Sequence, residues 1–358
     1  MENKIAENLP AAKKQRDLSL DVVKGIGIIL MVMGHSGVPT PVANFIYLFH
    51  MALFFMASGY VWKDSKVSDL PTLLKSIWSR VKGLWIPYAV ANGIYTLMTN
   101  LFVKMHVYPP EQLLTPKQIV INLVKNILFA SDTTMGGASW FLRTLFFVSV
   151  AHMVVRYIAT KIKFGKVFFA AVIVVTLVGA EYVNLTRIEF FMGLQTCFCG
   201  YAAYLFGMLL RRVDAKKYIA KFRYLAAVLG FGLVLLLSQF DTIGLGVGNI
   251  GCLPFYFAAS LCGWVMTWGV AEIVKGAPAC FLAFCSRSSV WIVLAHFLAF
   301  KPVAWLYLTL TNGGIENLSA FPVFSAPWLW IAYTVLGTLL PLGLCVCVRK
   351  IISLVKKK

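Results

Sequence analysis

From Leu18 to the C-terminus the sequence returns repeatedly to continuously apolar runs, several of them near the roughly 20 residues that carry a helix across a bilayer core. The runs do not alternate between apolar and polar residues, so they predict helices and not the strands of a barrel. Spans are expected at 18 to 36, 44 to 62, 84 to 103, 139 to 160, 165 to 183, 189 to 210, 224 to 243, 251 to 274, 288 to 310 and 328 to 348. With 59% hydrophobic and only 13% charged residues, the chain has more apolar surface than a water-soluble fold can bury. The expected class is all-α: a polytopic transmembrane bundle of about ten helices. One integral domain over 18–348 lies between basic tails at 1–17 and 349–358. The first run contains Asp21 and Lys24 and lacks a small-residue cleavage site, so it is expected to remain as a helix.

The formal net charge of +19 would suggest nucleic acid in a soluble protein, but its distribution argues against that. Most of the 33 basic residues fall in alternate connections and at the two ends. They include Lys4, Lys13, Lys14 and Arg16, then Lys63 and Lys66, Arg156 and Lys161, Arg211 to Lys221, and Arg349 to Lys358. The other connections hold few, such as Lys104, Lys117, Lys125 and Arg187. This asymmetry predicts that both termini are cytoplasmic, in the cell membrane, with the charge reading as topology and contact with anionic lipid. The eight cysteines lie mostly in apolar runs and form no metal-ligand pattern with the five histidines, so no metal site is expected. The longest outer connection, about 104 to 138, includes an expected short helix at 116 to 129. No soluble catalytic domain is appended, so any chemistry belongs to the bundle.

Within the first run, Lys24 and His35 are eleven residues apart, about three helical turns, which puts them on one face about 16 Å apart along the axis. Asp21 lies close to the same face, giving a polar stripe in an apolar helix. A charge inside a bilayer costs at least ~2.5 kcal/mol, so the stripe is expected to face protein or a water-filled cavity. A purely structural role is the alternative, with Lys24 snorkelling and paired to Asp21 and His35 bonded in the core. A short hairpin at 36 to 43 brings the second run back through Phe49-His50-Met51, so His50 is expected at the depth of His35, where imidazoles could transfer a proton near neutral pH. Ala52, Ser58 and Gly59 on that run would permit close helix packing. Trp140 and Arg143 stand at the outer start of the fourth run. An arginine there runs against the charge bias and calls for a buried partner or an anionic ligand. His296 lies midway along the ninth run, followed by Lys301-Pro302, where a kink is expected.

These residues together resemble the acyltransferase 3 family of integral membrane acyltransferases, and within it the fucose 4-O-acetylase-like proteins. The family's opening pattern is met by Arg16, Asp21, Lys24 and His35 at matching spacing, and a Phe-His-Met-x-Leu-Phe-Phe-x-x-Ser-Gly segment by Phe49 to Gly59. Weaker resemblance lies in Arg80 to Tyr88, Trp140 to Leu142 and Ser289 to His296. The family more often has Arg where Lys24 stands; Lys keeps the charge but loses bidentate recognition of phosphate. The resemblance implies O-acyl transfer, with cytoplasmic acyl-CoA, commonly acetyl-CoA, as donor substrate and no bound cofactor. The acceptor it implies is a hydroxyl of a cell-surface glycan or lipid-linked sugar.

On that basis His35 is expected to act as general base, or alternatively as a transient acyl carrier, with His50 beside it. Asp21 would hold Lys24 near the donor's anionic part. Ser58, Trp140, Arg143 and His296 would contact substrate, donor or the developing oxyanion. The principal rival is a glycan or small-anion transporter or flippase, since polar stripes also mark permeation paths. A bundle kept as sensor or assembly component is a third.

Overall fold

A computed structural model describes residues 16–355, and every described segment of regular structure is helical. The basic residues expected at 1 to 15 and Lys356 to Lys358 lie outside the described residues. A helix occupies each of the ten expected runs: α1 (Leu18–Gly34), α2 and α3 (Thr40–Tyr47 and His50–Tyr60), α5 (Ile86–Lys104), α7 (Trp140–Lys161), α8 (Gly165–Thr186), α9 (Thr196–Arg212), α11 (Arg223–Leu237), α12 (Leu253–Ile273), α14 (Ser289–Leu310) and α15 (Leu329–Val355). Between them lie amphipathic α4 (Leu70–Arg80), the expected short outer helix α6 (Pro116–Ile127), α10 (Ala215–Lys221) and α13 (Gly276–Arg287). The starts carry ordinary signals. Asp17 caps α1 by accepting from the backbone N–H of Ser19 and Leu20, and Thr115 and Gln118 form a reciprocal capping box before Pro116.

Seven helical segments are long and apolar enough to cross a membrane alone, with α2 and α3 taken as one span, and an eighth is reached if α10 and α11, bent by 102°, count as one. The first and third runs fall short for visible reasons. α1 has 17 residues and carries the stripe, while Asn92, Thr96, Thr99 and Asn100 dilute α5. Those four bond inward: Asn92 reaches Ser139 and Thr133, Asn126 donates to Thr96, Thr99 back-bonds to Tyr95, and Asn100 holds Leu114. The chain is a multi-pass membrane protein, and α8, α11 and α15 turn long apolar faces outward, as the bilayer requires.

α1 is the hub, packed against α3, α12, α13, α14 and α15. Glycines make the closest crossings. A Cβ on Gly25 would strike the Leu282 carbonyl of α13, and one on Gly59 the Tyr204 carbonyl of α9. The second run departs from the expected continuous helix: it breaks at Leu48–Phe49, so α3 starts afresh at His50. The seventh ends at Leu237, leaving residues 242 to 251 as a strap with a 3-10 turn at Leu245–Val247. The last helix runs past Arg349 to Val355. Lys301, inside α14 and 4% exposed, donates to the carbonyls of Leu318 and Ala320 in the following loop. Among the described residues no carboxylate forms an ion pair with it.

Candidate active site

α1 ends where the backbone can no longer continue: Ser36 folds its hydroxyl onto the Met33 carbonyl, and Gly37 follows with φ +78°. His35 is therefore the C-cap of α1, set at the rim of a cleft of about 550 Å³. The break before α3 places His50 on the same cleft, as the short hairpin predicts. α14 then adds a third imidazole. The rings of His35 and His296 stack with centroids 5.4 Å apart and planes 13° from parallel, while Phe297 lies 5.0 Å from His35 and 4.1 Å from His296.

Backbone hydrogen bonds fix two of the three tautomers. His50 Nδ1–H donates to the Ile46 carbonyl at 2.8 Å, and His296 Nδ1–H donates to the Ile292 carbonyl at 2.9 Å. A carbonyl only accepts, so the proton sits on Nδ1 in each, leaving Nε2 with a lone pair. Nε2 of His296 and Nδ1 of His35 are both buried without a hydrogen-bond partner. An orphaned nitrogen in a low-dielectric site costs about 1–3 kcal/mol, a cost shared by other buried polar atoms of the bundle such as His152 Nε2 and Trp264 Nε1.

Tyr47, which the sequence reading passed over, ties the cluster together. Its hydroxyl donates to the Gly34 carbonyl at 3.1 Å, and its ring centroid lies 5.2 Å from His50 and 6.3 Å from His35. Trp140 also lines the cleft, as do Ile243 to Gly246 of the strap. The strap carried no signal beyond its four glycines and falls mostly in the connection between the expected runs 224 to 243 and 251 to 274.

The remaining expected residues lie elsewhere. Asp21 and Lys24 border a second, larger cleft of about 1340 Å³ at the other end of α1, with Arg16, Asp17, Lys63 and Arg211. Lys24 Nζ is 3.3 Å from Asp21, which also accepts from Ser286 at 3.3 Å. Ser286 comes from α13, a helix too short and too rich in small residues to stand out. Arg143 takes the first of its two expected roles, a buried partner: it pairs with Asp132 at 2.9 Å. Asp132 in turn accepts from Ser139, and Ser139 from Asn92. Ser58 lines neither cleft, while the neighbouring Gly59 packs against Tyr204 of α9.

The stripe thus separates into two sites at opposite ends of α1, one rich in cations and one holding imidazoles. Along the same helix Val23 and Val32 are packed in the core. Comparison with known proteins bears on what such a pair of sites does. No curated protein and no solved structure matches the chain. The family described as an acyltransferase domain, Acyl_transf_3, matches residues 17–349, which takes in both clefts but for Arg16 and every helix named above apart from the end of α15. The chain belongs to the acyltransferase 3 family and is a multi-pass membrane acyltransferase.

Proposed function

We propose that this protein moves an acetyl group from acetyl-CoA to a hydroxyl of a cell-surface glycan or its lipid-linked precursor. The basic end faces the cytoplasm and receives the donor, with Lys24 against its anionic part. The observation that carries this reading is the gathering of His35, His50 and His296 at the end of α1 opposite the cations. Donor and acceptor are then offered separate approaches, and the chemistry sits where the acceptor arrives.

His35 acts as general base. It removes the hydroxyl proton as the oxygen bonds to the thioester carbon, and the intermediate expels the CoA thiolate, which leaves as thiol once protonated. His50 lines the cleft beside it and His296 stacks on its ring, each oriented by a hydrogen bond to a backbone carbonyl. Asp21 holds Lys24 in place and is itself held by Ser286.

Purified protein in lipid nanodiscs, given radiolabelled acetyl-CoA and a glycan acceptor, tests the reading. His35→Ala, with elution and helicity like wild type, is expected to lower transfer by about 10²–10⁴. Transfer at the wild-type rate overturns the assignment of His35. Label retained on the protein before acceptor is added would place an acyl-imidazole ahead of direct transfer.

A further inference from the structure

The strap shares its cleft with the histidines, yet nothing in their chemistry requires it. Its form is fixed in two ways. Internally, Gly244 and Asn249 exchange backbone hydrogen bonds of 2.9 and 3.1 Å, and Gly248 and Gly251 turn with φ +74° and +67°. Externally, α8 holds it down: Asn184, buried at 4% exposure, accepts from Ile250 N–H at 2.9 Å and donates to the Gly251 carbonyl at 2.7 Å, and Arg187 donates to Asn249. The held strap lays Gly246 against the edge of Trp140. A Cβ on Gly246 would sit 3.2 Å from the indole, tight enough that Trp140 would have to give way.

The cleft has a second property. None of the described residues lining it is Asp, Glu, Lys or Arg; its walls are aromatic and aliphatic, with side-chain polarity limited to His35, His50, Tyr47 and the Trp140 indole N–H. A charged group brought in would lose its water without gaining a partner, whereas a hydroxyl could still find an imidazole or a carbonyl.

We propose that the strap of residues 242 to 251 is the acceptor-side wall of this cleft. It admits an uncharged, hydroxyl-bearing sugar ring with an apolar face against Trp140, and Gly246 sets how far Trp140 can recede. The proposal rests on the acyl-transfer reading above and names its acceptor class. Asn184 is a positioning residue that acts through the strap.

The test compares octyl glucoside with octyl glucuronide as acceptors for the nanodisc-embedded protein, with acetyl-CoA binding measured separately. Wild type is expected to acylate the neutral glycoside with at least about tenfold higher kcat/KM, because a buried carboxylate would go unpaired. Gly246→Val is expected to raise the acceptor KM about tenfold and Asn184→Ala about fivefold, each leaving the affinity for acetyl-CoA within about twofold. Gly246→Ala adds a single methyl and keeps the test open where the valine variant fails to insert. Gly232→Val, in open space on α11, serves as the substitution control. Equal use of the two glycosides, or an unchanged acceptor KM in both Gly246 variants, overturns the proposal while the acyl-transfer reading stands. Acetyl-CoA binding with neither glycoside modified overturns the carbohydrate reading and this proposal together.

Discussion

Arg143 illustrates how much a single side chain's meaning depends on a partner that the sequence hides. As a lone arginine at the start of an apolar run it could have met an anionic ligand. In the fold its guanidinium is 11% exposed and Asp132, eleven residues earlier in the long outer loop, is 20% exposed. Removing one partner leaves the other charge desolvated, so Arg143→Met or Asp132→Asn is expected to cost about 3 kcal/mol. The double variant is expected to lose less than the two losses added, measured by thermal unfolding in detergent. Strictly additive losses would show that the pair contributes nothing as a pair. His35 and His50 were legible because a short hairpin confines them to one level. The stacking of His296 on His35 was not, since it depends on α14 packing against α1 across most of the chain length.

Helices announced themselves in the sequence by length and apolarity, and where either signal was weak the reading blurred. The ten runs are helical because each was long or apolar enough to be seen. α4, α10 and α13 were not anticipated, because amphipathic or small-residue segments of 7 to 12 residues look like loops between stronger neighbours. The break at Leu48–Phe49 has no proline or glycine to mark it, and the strap fell mostly in a short connection between two expected runs, which carries no apolar period to shape it. Packing between helices is sharpest where glycine removes the side chain. Gly25→Val would drive its branches into the α13 backbone and Gly59→Val into that of α9. Each is expected to cost about 2 kcal/mol or more, read as a lowered unfolding temperature beside an unaffected Gly343→Val. Gly343 has open space around it. An unchanged melting temperature at Gly25 would mean that α1 and α13 do not cross as closely as drawn here.

For the molecule as a whole, charge sets direction. One end collects Arg16, Lys63, Arg156, Arg211 and Lys216, with Arg156 paired to Asp64 and Lys216 to Asp17, and the proposed orientation, with that end toward the cytoplasm, follows from the positive-inside rule. In a cysteine-free background, a cysteine at Asp214 is expected to react with an impermeant maleimide only after the cytoplasmic side is opened, and one at Asn312 from outside intact cells. The reverse pattern would invert the orientation, and with it the sides assigned to donor and acceptor. Lys301 adds an order in time to this order in space. Lys301 leaves the ribosome ahead of Leu318 and Ala320, whose carbonyls receive its ammonium in the fold. Until they arrive the charge has only the water at the interface, and α14 has reason to linger there. The seating of this helix, and so of the histidine stacked on α1, depends on a loop that follows it in the chain.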